Sequence, residues 1–402
     1  MKYVVILGDG MADMPVKQLN NKTPLQYANI PTINNLATKS ELGQVKTVPD
    51  EIAPGSDVAN LSVIGYNPFE YYTGRSPLEA VSMGVDLSDT DITFRCNLVT
   101  LSEDEPYDEK IMLDYSADEI STDEAKQLIQ AVNEKLHTST ISFYPGISYR
   151  HLMVWQKGPD AFTLIPPHDI LDQKITNHLP KGSNHTIILD MMQKSFEILK
   201  DHPVNIARTK KGLRPANAIW IWGEGKKPQL TNFKEKFGVK GAVISAVDLI
   251  KGIGISAGLT SIDVEGATGN IHTNFPGKAS AALEALETGH DFVYVHIEAP
   301  DECGHRQEIE NKVKAIELID KHVVNVIKNT LDAKEEPYKL MILPDHPTPL
   351  ALRTHTSDPV PFLIYQNNDP KDFPEQKYDE FCSKETGIYF DEGYKLMQYF
   401  IE

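Results

Sequence analysis

Residues 338–346 read YKLMILPDH, an almost unbroken apolar run that closes on Asp345 and His346. Two other stretches share the design: residues 3–9 (YVVILGD) and residues 292–301 (FVYVHIEAPD) are short, rich in β-branched residues, and end in an aspartate. Apolar runs without polar alternation read as strands covered on both faces, hence as parallel strands of an α/β sheet. Open sheets of that kind bind ligands beyond the carboxyl ends of their strands. Asp9, Asp301, Asp345 and His346 are therefore expected to gather along one edge.

The remaining chain is read outward from these strands. Residues 308–332 place Ile309, Val313, Ile316, Val323 and Ile327 at three-, four- and seven-residue spacing, which predicts one long amphipathic helix covering the sheet. Residues 217–222 (NAIWIW) and 241–246 (GAVISA) are further strand candidates. Between residues 87 and 212 the texture changes. Residues 92–101 and 110–115 predict a hairpin, and the capping-box pattern of Ser121 and Glu124 opens a helix that runs to Leu136. Residues 140–144 and 148–155 follow as strands and residues 185–201 as a second helix. The expected organisation is a discontinuous, metal-binding α/β catalytic domain of three layers with a mostly parallel sheet, formed by residues 1–87 and 213–402. A smaller α+β substrate-binding domain, residues 88–212, is inserted in it, with a substrate cleft between the two.

Composition narrows the partners. A chain of 402 residues exceeds one comfortable core. Its 57 acidic residues against 39 basic ones give a net charge of −18, which repels nucleic acid and anionic membranes. No apolar run approaches the roughly 20 residues of a membrane helix, and the first residues read as a strand rather than a signal peptide. Cys96, Cys303 and Cys382 show no CxxC spacing, which suits a reducing cytoplasm. A small anionic substrate on so acidic a protein needs a local basic pocket. Its candidates are Arg95, Arg150 with His151, Arg208, and Arg75, because the planar guanidinium fork matches carboxylate and phosphate.

The chemistry is expected at the strand ends. His305 follows Asp301 by four residues in DECGH, and His355 returns after a proline-bearing loop. With Asp9, Asp345 and His346 this makes three carboxylates and three imidazoles, a set suited to Zn²⁺ or Mn²⁺ and too rich in nitrogen for Mg²⁺ or Ca²⁺ alone. Two such ions about 4 Å apart would clamp a phosphoryl group in transfer. Because neighbouring side chains alternate along an extended backbone, Asp345 and His346 are expected to face different ions. Ser56 in residues 53–66 (APGSDVANLSVIGY) follows a Pro-Gly turn at a helix start, where free amides and the helix dipole favour an alkoxide or a phosphate. A plain capping serine is the alternative. GDGMAD, residues 8–13, begins like a dinucleotide fingerprint, but Asp13 replaces the third glycine.

Taken in order, GDGMAD, PGSDVANLSVIGY, YTGRSPLEA, ISYRHLMVW, PPHD, RPANAIWIWGEG, APDECGH, PDH and THTSDPVPF resemble the archaeal-type, cofactor-independent phosphoglycerate mutases of the alkaline phosphatase superfamily. The resemblance covers nearly the whole chain. It implies two divalent metal ions, usually Mn²⁺ or Zn²⁺, with Mg²⁺ possible. Asp301, His305 and His355 would hold one, and Asp9, Ser56, Asp345 and His346 the other. It also implies transfer of the phosphate of 3-phosphoglycerate to Ser56 and its return to the 2-hydroxyl. A homoserine kinase-like phosphotransferase and a metal-dependent phosphatase are the alternatives on the same scaffold. Where relatives often carry histidine after the serine, this chain has Asn60, which cannot shuttle protons.

Overall fold

Strand formation follows the apolar runs closely. The computed structural model describes residues 1–182 and 184–402, and among these the largest sheet has eight strands. Their order across it is Thr260–Ile262, Gly241–Ile244, Phe292–Ile297, Lys2–Gly8, Tyr338–Leu343, Val360–Gln366, Glu41–Val45 and Tyr389–Phe390. Pairing is parallel except where Val360–Gln366 runs against Tyr338–Leu343 and Glu41–Val45. The central strands are buried on both faces, which is why they carry no polar alternation.

Alternation along each strand divides the two faces. Val4, Ile6, Val293, Val295, Leu340 and Ile342 join one apolar cluster with Ala279, Ala282 and Ala285 of the helix Phe275–Glu287 and with Val313, Ile316 and Ile319 of the helix Ile309–Ile319. Tyr3 and Tyr294 point the other way: Tyr3 meets Phe400 of the helix Lys395–Ile401 edge to face, and Tyr294 reaches the helix Ser56–Ile64. Helices on both faces make three layers.

The long covering helix departs from expectation. Its periodic residues lie on Ile309–Ile319 and Asn325–Ala333, joined by a wider π-helical turn, Asp320–Val324. That turn aims the Asp320 carboxylate at the free amides of Ile33 (2.7 Å) and Thr32 at the start of the helix Pro31–Ala37, a contact that caps the helix and suits its dipole.

The chain separates into two compact units, Met1–Tyr72 with Gln229–Glu402, and Thr73–Pro228. The second is wider than the expected 88–212. Ala218–Lys226, which contains NAIWIW, belongs to it because this strand pairs antiparallel with Ile92–Leu101. At the other end, Ser76 of the helix Ser76–Ser82 bonds Thr93 of the same sheet. The expected hairpin, Ile92–Leu101 with Met112–Asp114, and the pair Ile141–Tyr144 and Arg150–Trp155 complete this sheet. The helices Thr122–Leu136 and His185–Leu199 cover one of its faces.

In the first unit a buried ion pair ties a covering helix to the loops at the sheet edge. Lys312 Nζ donates to Asp13 Oδ2 at 2.7 Å and to the Thr348 carbonyl at 2.8 Å, with both charged side chains almost fully buried. Asp13 also accepts from the Met14 and Leu350 amides. Removing one member strands a buried charge, so Lys312→Met is expected to cost about 3–5 kcal/mol in a urea titration. The double variant Asp13→Asn with Lys312→Met should recover part of that loss.

Candidate active site

The three apolar runs deliver their acidic ends to one place. The Asp9 amide bonds the Ile297 carbonyl at 2.9 Å, so the loop after the first strand starts in register with its neighbour. Gly10 then turns the chain with φ +61°. A β-carbon there would stand 2.5 Å from Thr348 Oγ1 and 2.8 Å from the Asp301 Cα, so only glycine fits so close to both loops. The Gly10 amide in turn donates to Asp345 Oδ1 at 3.2 Å.

Two overlapping groups of donor atoms result. In one, Asp301 Oδ2 lies 3.3 Å from His305 Nε2, Asp301 Oδ1 lies 3.3 Å from His355 Nε2, and the two imidazole nitrogens are 2.9 Å apart. In the other, His346 Nε2 lies 3.7 Å from Asp9 Oδ1 and 3.5 Å from Asp345 Oδ2, with Ser56 Oγ at 3.2 Å. Ligand atoms at about 2.1 Å from one tetrahedral ion stand roughly 3.4 Å from one another, so these spacings fit a metal. Asp9 Oδ1 is buried and has no hydrogen-bond partner among the described residues, an arrangement that costs free energy unless a cation faces it.

His346 also approaches the first group. It joins Asp301 and His355 as a further candidate set, and its ring centre lies 4.0 Å from that of His355. Asp345 and His346 both converge with Asp9, the grouping that the resemblance implies and not the opposite-side placement expected from backbone alternation. The strand ends at Leu343, so its alternation does not reach these residues, and the Asp345 carboxylate turns back to accept the His346 amide at 2.9 Å. The imidazole is oriented by Thr348: its hydroxyl donates to Asp301 Oδ1 at 2.5 Å, so it accepts from His346 Nδ1 at 3.3 Å and leaves Nε2 bare.

Electrostatics state the same need. Burial, then the Asp345, Asp301 and Glu298 carboxylates, push the Asp9 carboxyl well above its usual range. Burial also works to raise Asp301, but bonds from His305 and His355 hold it well below. Burial lowers His346, favouring the neutral form that binds metals.

Ser56 is the first residue of its helix, which continues to Ile64, with Gly55 extended just before it. The bond to His346 sets it among the ligand candidates rather than leaving it as a plain cap. Asn60, one turn on, donates to the Ser56 carbonyl and to Asp345 Oδ2, both at 2.8 Å, and accepts from the Tyr294 hydroxyl at 2.6 Å. Every polar atom of this asparagine is used, so it fixes the serine turn and a ligand carboxylate instead of moving protons.

Two side chains near these groups carried a sequence signal that went unread. Glu298, three residues before Asp301, forms a candidate set with Asp9 and Asp301. His296 interrupts an apolar strand on the Tyr294 face and bonds Asp9 Oδ2 at 2.9 Å.

The basic candidates in the second unit fare differently. Arg208 is buried and committed: it bonds Glu124 and the Ala117 carbonyl at 2.6 Å each and the Arg214 carbonyl at 3.0 Å, so its expected ligand role gives way to a structural one. His151 is also buried, accepts from the Gly146 amide at Nδ1, and is pushed down to about 3 by burial. The imidazole is therefore neutral, and with Nδ1 accepting, its Nε2–H is a buried donor without a partner among the described residues. Arg95 stacks 4.5 Å from the Trp222 ring centre and pairs with Glu79, while Arg75 contacts the same glutamate. Arg150 is exposed above Tyr149.

Comparison with known proteins gives the family. The sequence profile of the 2,3-bisphosphoglycerate-independent phosphoglycerate mutases matches residues 37–205. A Geobacter sulfurreducens protein named a probable mutase of this kind is 49% identical over 402 residues, covering 100% of both chains. The chain belongs to the 2,3-bisphosphoglycerate-independent phosphoglycerate mutase family. A Methanosarcina mazei mutase of the family is 49% identical over 381 residues, 94% of each chain. Among solved structures, a Pyrococcus horikoshii protein superposes with a TM-score of 0.83 at 30% identity, covering 100% of this chain and 97% of that one. The cofactor-independent phosphoglycerate mutase of Thermoplasma acidophilum gives 0.68 at 25% identity, covering 100% and 99%. The family is metal-dependent, and the groups above are its candidate ligands here. No helix among the described residues is long and apolar enough to cross a membrane.

His151 yields a pH signature. Its proton is bound less readily in the folded chain than at its ordinary value of 6.5, so the unfolded chain takes up the proton as pH falls from 6.5 towards about 3. Stability is therefore lost on acidification through that window, by at most about 1.4 kcal/mol per pH unit from this group. In thermal melts from pH 7 to 4, the wild type should lose stability relative to His151→Leu.

Proposed function

We propose that this mutase-family enzyme interconverts 3-phosphoglycerate and 2-phosphoglycerate, with Ser56 carrying the phosphoryl group between the two hydroxyls. The observation that carries the reading is the Ser56 hydroxyl at a helix start, 3.2 Å from His346 Nε2 and beside buried carboxylates. Asp9, Ser56, Asp345 and His346 would hold one divalent ion, and Asp301, His305 and His355 a second, Mn²⁺ or Zn²⁺ by their mixed oxygen and nitrogen donors. When bound, such ions lower the pKa of a serine hydroxyl and neutralise phosphoryl oxygens.

The serine does the rest. Ser56 Oγ attacks the phosphorus of 3-phosphoglycerate; the bond from phosphorus to the C3 oxygen breaks, and that oxygen receives the proton given up by the serine. The glycerate turns, its 2-hydroxyl attacks the phosphoserine, and Ser56 regains a proton as the ester bond breaks. No water is consumed, which separates this course from phosphatase chemistry. The free amides at the start of the Ser56 helix favour the phosphoserine dianion.

Arg95, Arg150 and Arg75 are proposed to bind the anionic groups of the substrate. Arg150, being exposed and free of a carboxylate partner within salt-bridge distance among the described residues, is the foremost of these.

The test is phosphorus resonance of protein incubated with Mn²⁺ and 3-phosphoglycerate. Appearance of 2-phosphoglycerate is expected; inorganic phosphate alone would overturn the mutase reading. Ser56→Ala should lower turnover roughly 10³-fold or more while metal content stays near that of the wild type. Arg150→Ala should raise KM about tenfold with a smaller change in kcat, as expected for loss of a charge-assisted bond to the ground state.

A further inference from the structure

We propose that His296 is a positioning residue that presents Asp9 to its ion through one chosen oxygen, with its own tautomer set by Ser245. The inference rests on the reading of Asp9 as a metal ligand. Its evidence is a chain of hydrogen bonds outside the ligand set. The Val247 amide donates to Ser245 Oγ at 3.0 Å, and Ser245 Oγ lies 3.1 Å from His296 Nδ1. His296 Nε2 lies 2.9 Å from Asp9 Oδ2.

The Val247 amide can only donate, and the ionised Asp9 carboxylate can only accept. Since Val247 must donate, the Ser245 hydroxyl proton is free to point at Nδ1, which places the imidazole proton on Nε2, facing the carboxylate. The opposite tautomer would oppose a nitrogen lone pair to a carboxylate oxygen in a site with no exposure at His296. The backbone of His296 is also held. The fully buried Lys278 ammonium donates to the His296 carbonyl at 2.7 Å.

Asp9 is thereby divided. Oδ2 is engaged by His296, while Oδ1, buried and without a hydrogen-bond partner among the described residues, stands 3.7 Å from the bare His346 Nε2. An apolar residue at position 296 would leave the second oxygen unpaired as well and free the carboxylate to rotate. Loss of such an outer hydrogen bond typically weakens a metal 10- to 100-fold.

Calorimetric titration of chelator-treated protein with Mn²⁺, with bound ion counted by electron paramagnetic resonance, tests this. Wild type is expected to bind two ions, and His296→Leu to bind one of them about 10- to 100-fold more weakly with the other within about 3-fold. His296→Gln, whose amide N–H reaches the place of Nε2, should return that ion to within about 3-fold of wild type. Melting of the metal-free variants checks that they fold. Should His296→Leu not fold, Ser245→Ala takes its place, with a loss of about 3- to 10-fold expected at the same ion. Wild-type affinity in His296→Leu or its substitute, or a His296→Gln as weak as His296→Leu, overturns the proposal. A wild type that takes up no ion instead overturns the metal reading beneath it.

Discussion

Like charges held close together in a buried place are the constraint on which the rest of this structure turns. Asp9, Asp301 and Asp345 are nearly or fully buried, and burial, then the Asp345, Asp301 and Glu298 carboxylates, raise the Asp9 carboxyl well above its ordinary range. Two unit charges 4 Å apart repel by about 4 kcal/mol even at an effective dielectric of 20. Such a cluster is relieved by protonation or by a cation among the oxygens, and His305, His346 and His355 lie close enough to these carboxylates to join them as candidate ligands.

What surrounds the cluster is mostly neutral and directional. Asn60, His296 and Thr348 each touch one of the carboxylates, and each is itself held by another group: Tyr294 for Asn60, Ser245 for His296, and the Lys312 ammonium at the Thr348 carbonyl. Neutral donors aim a carboxylate without neutralising it, so its charge remains available to an ion. Of the buried cations nearby, Lys312 is matched to Asp13 and acts on the loop, and Lys278 is spent on the His296 carbonyl rather than on a ligand carboxylate. Asn60 shows that this position can serve the site by geometry alone.

Much of the candidate ligand set was legible because these residues sit at the ends of apolar runs. In Leu-Pro-Asp-His and Ile-Glu-Ala-Pro-Asp a costly side chain follows directly on a buried strand, and that juxtaposition survives folding. His296 and Glu298 were less legible. Each lies inside a motif already assigned to a strand or its exit, and their meaning depends on which neighbour the strand pairs with. The arginines were least legible: Arg208 and Arg150 look alike in sequence, yet one is enclosed by Glu124 and two carbonyls and the other is exposed.

By itself, then, the sequence determined the class of sheet, its acidic carboxyl edge, the serine at a helix start and the family, because hydrophobic period and local turn chemistry are properties of short segments. Tertiary structure alone decided that NAIWIW completes the inserted sheet, that Arg208 is enclosed and that His151 is buried. Those outcomes depend on register and burial between residues far apart in the chain, where the free energy of a side chain is set by partners that no local pattern names.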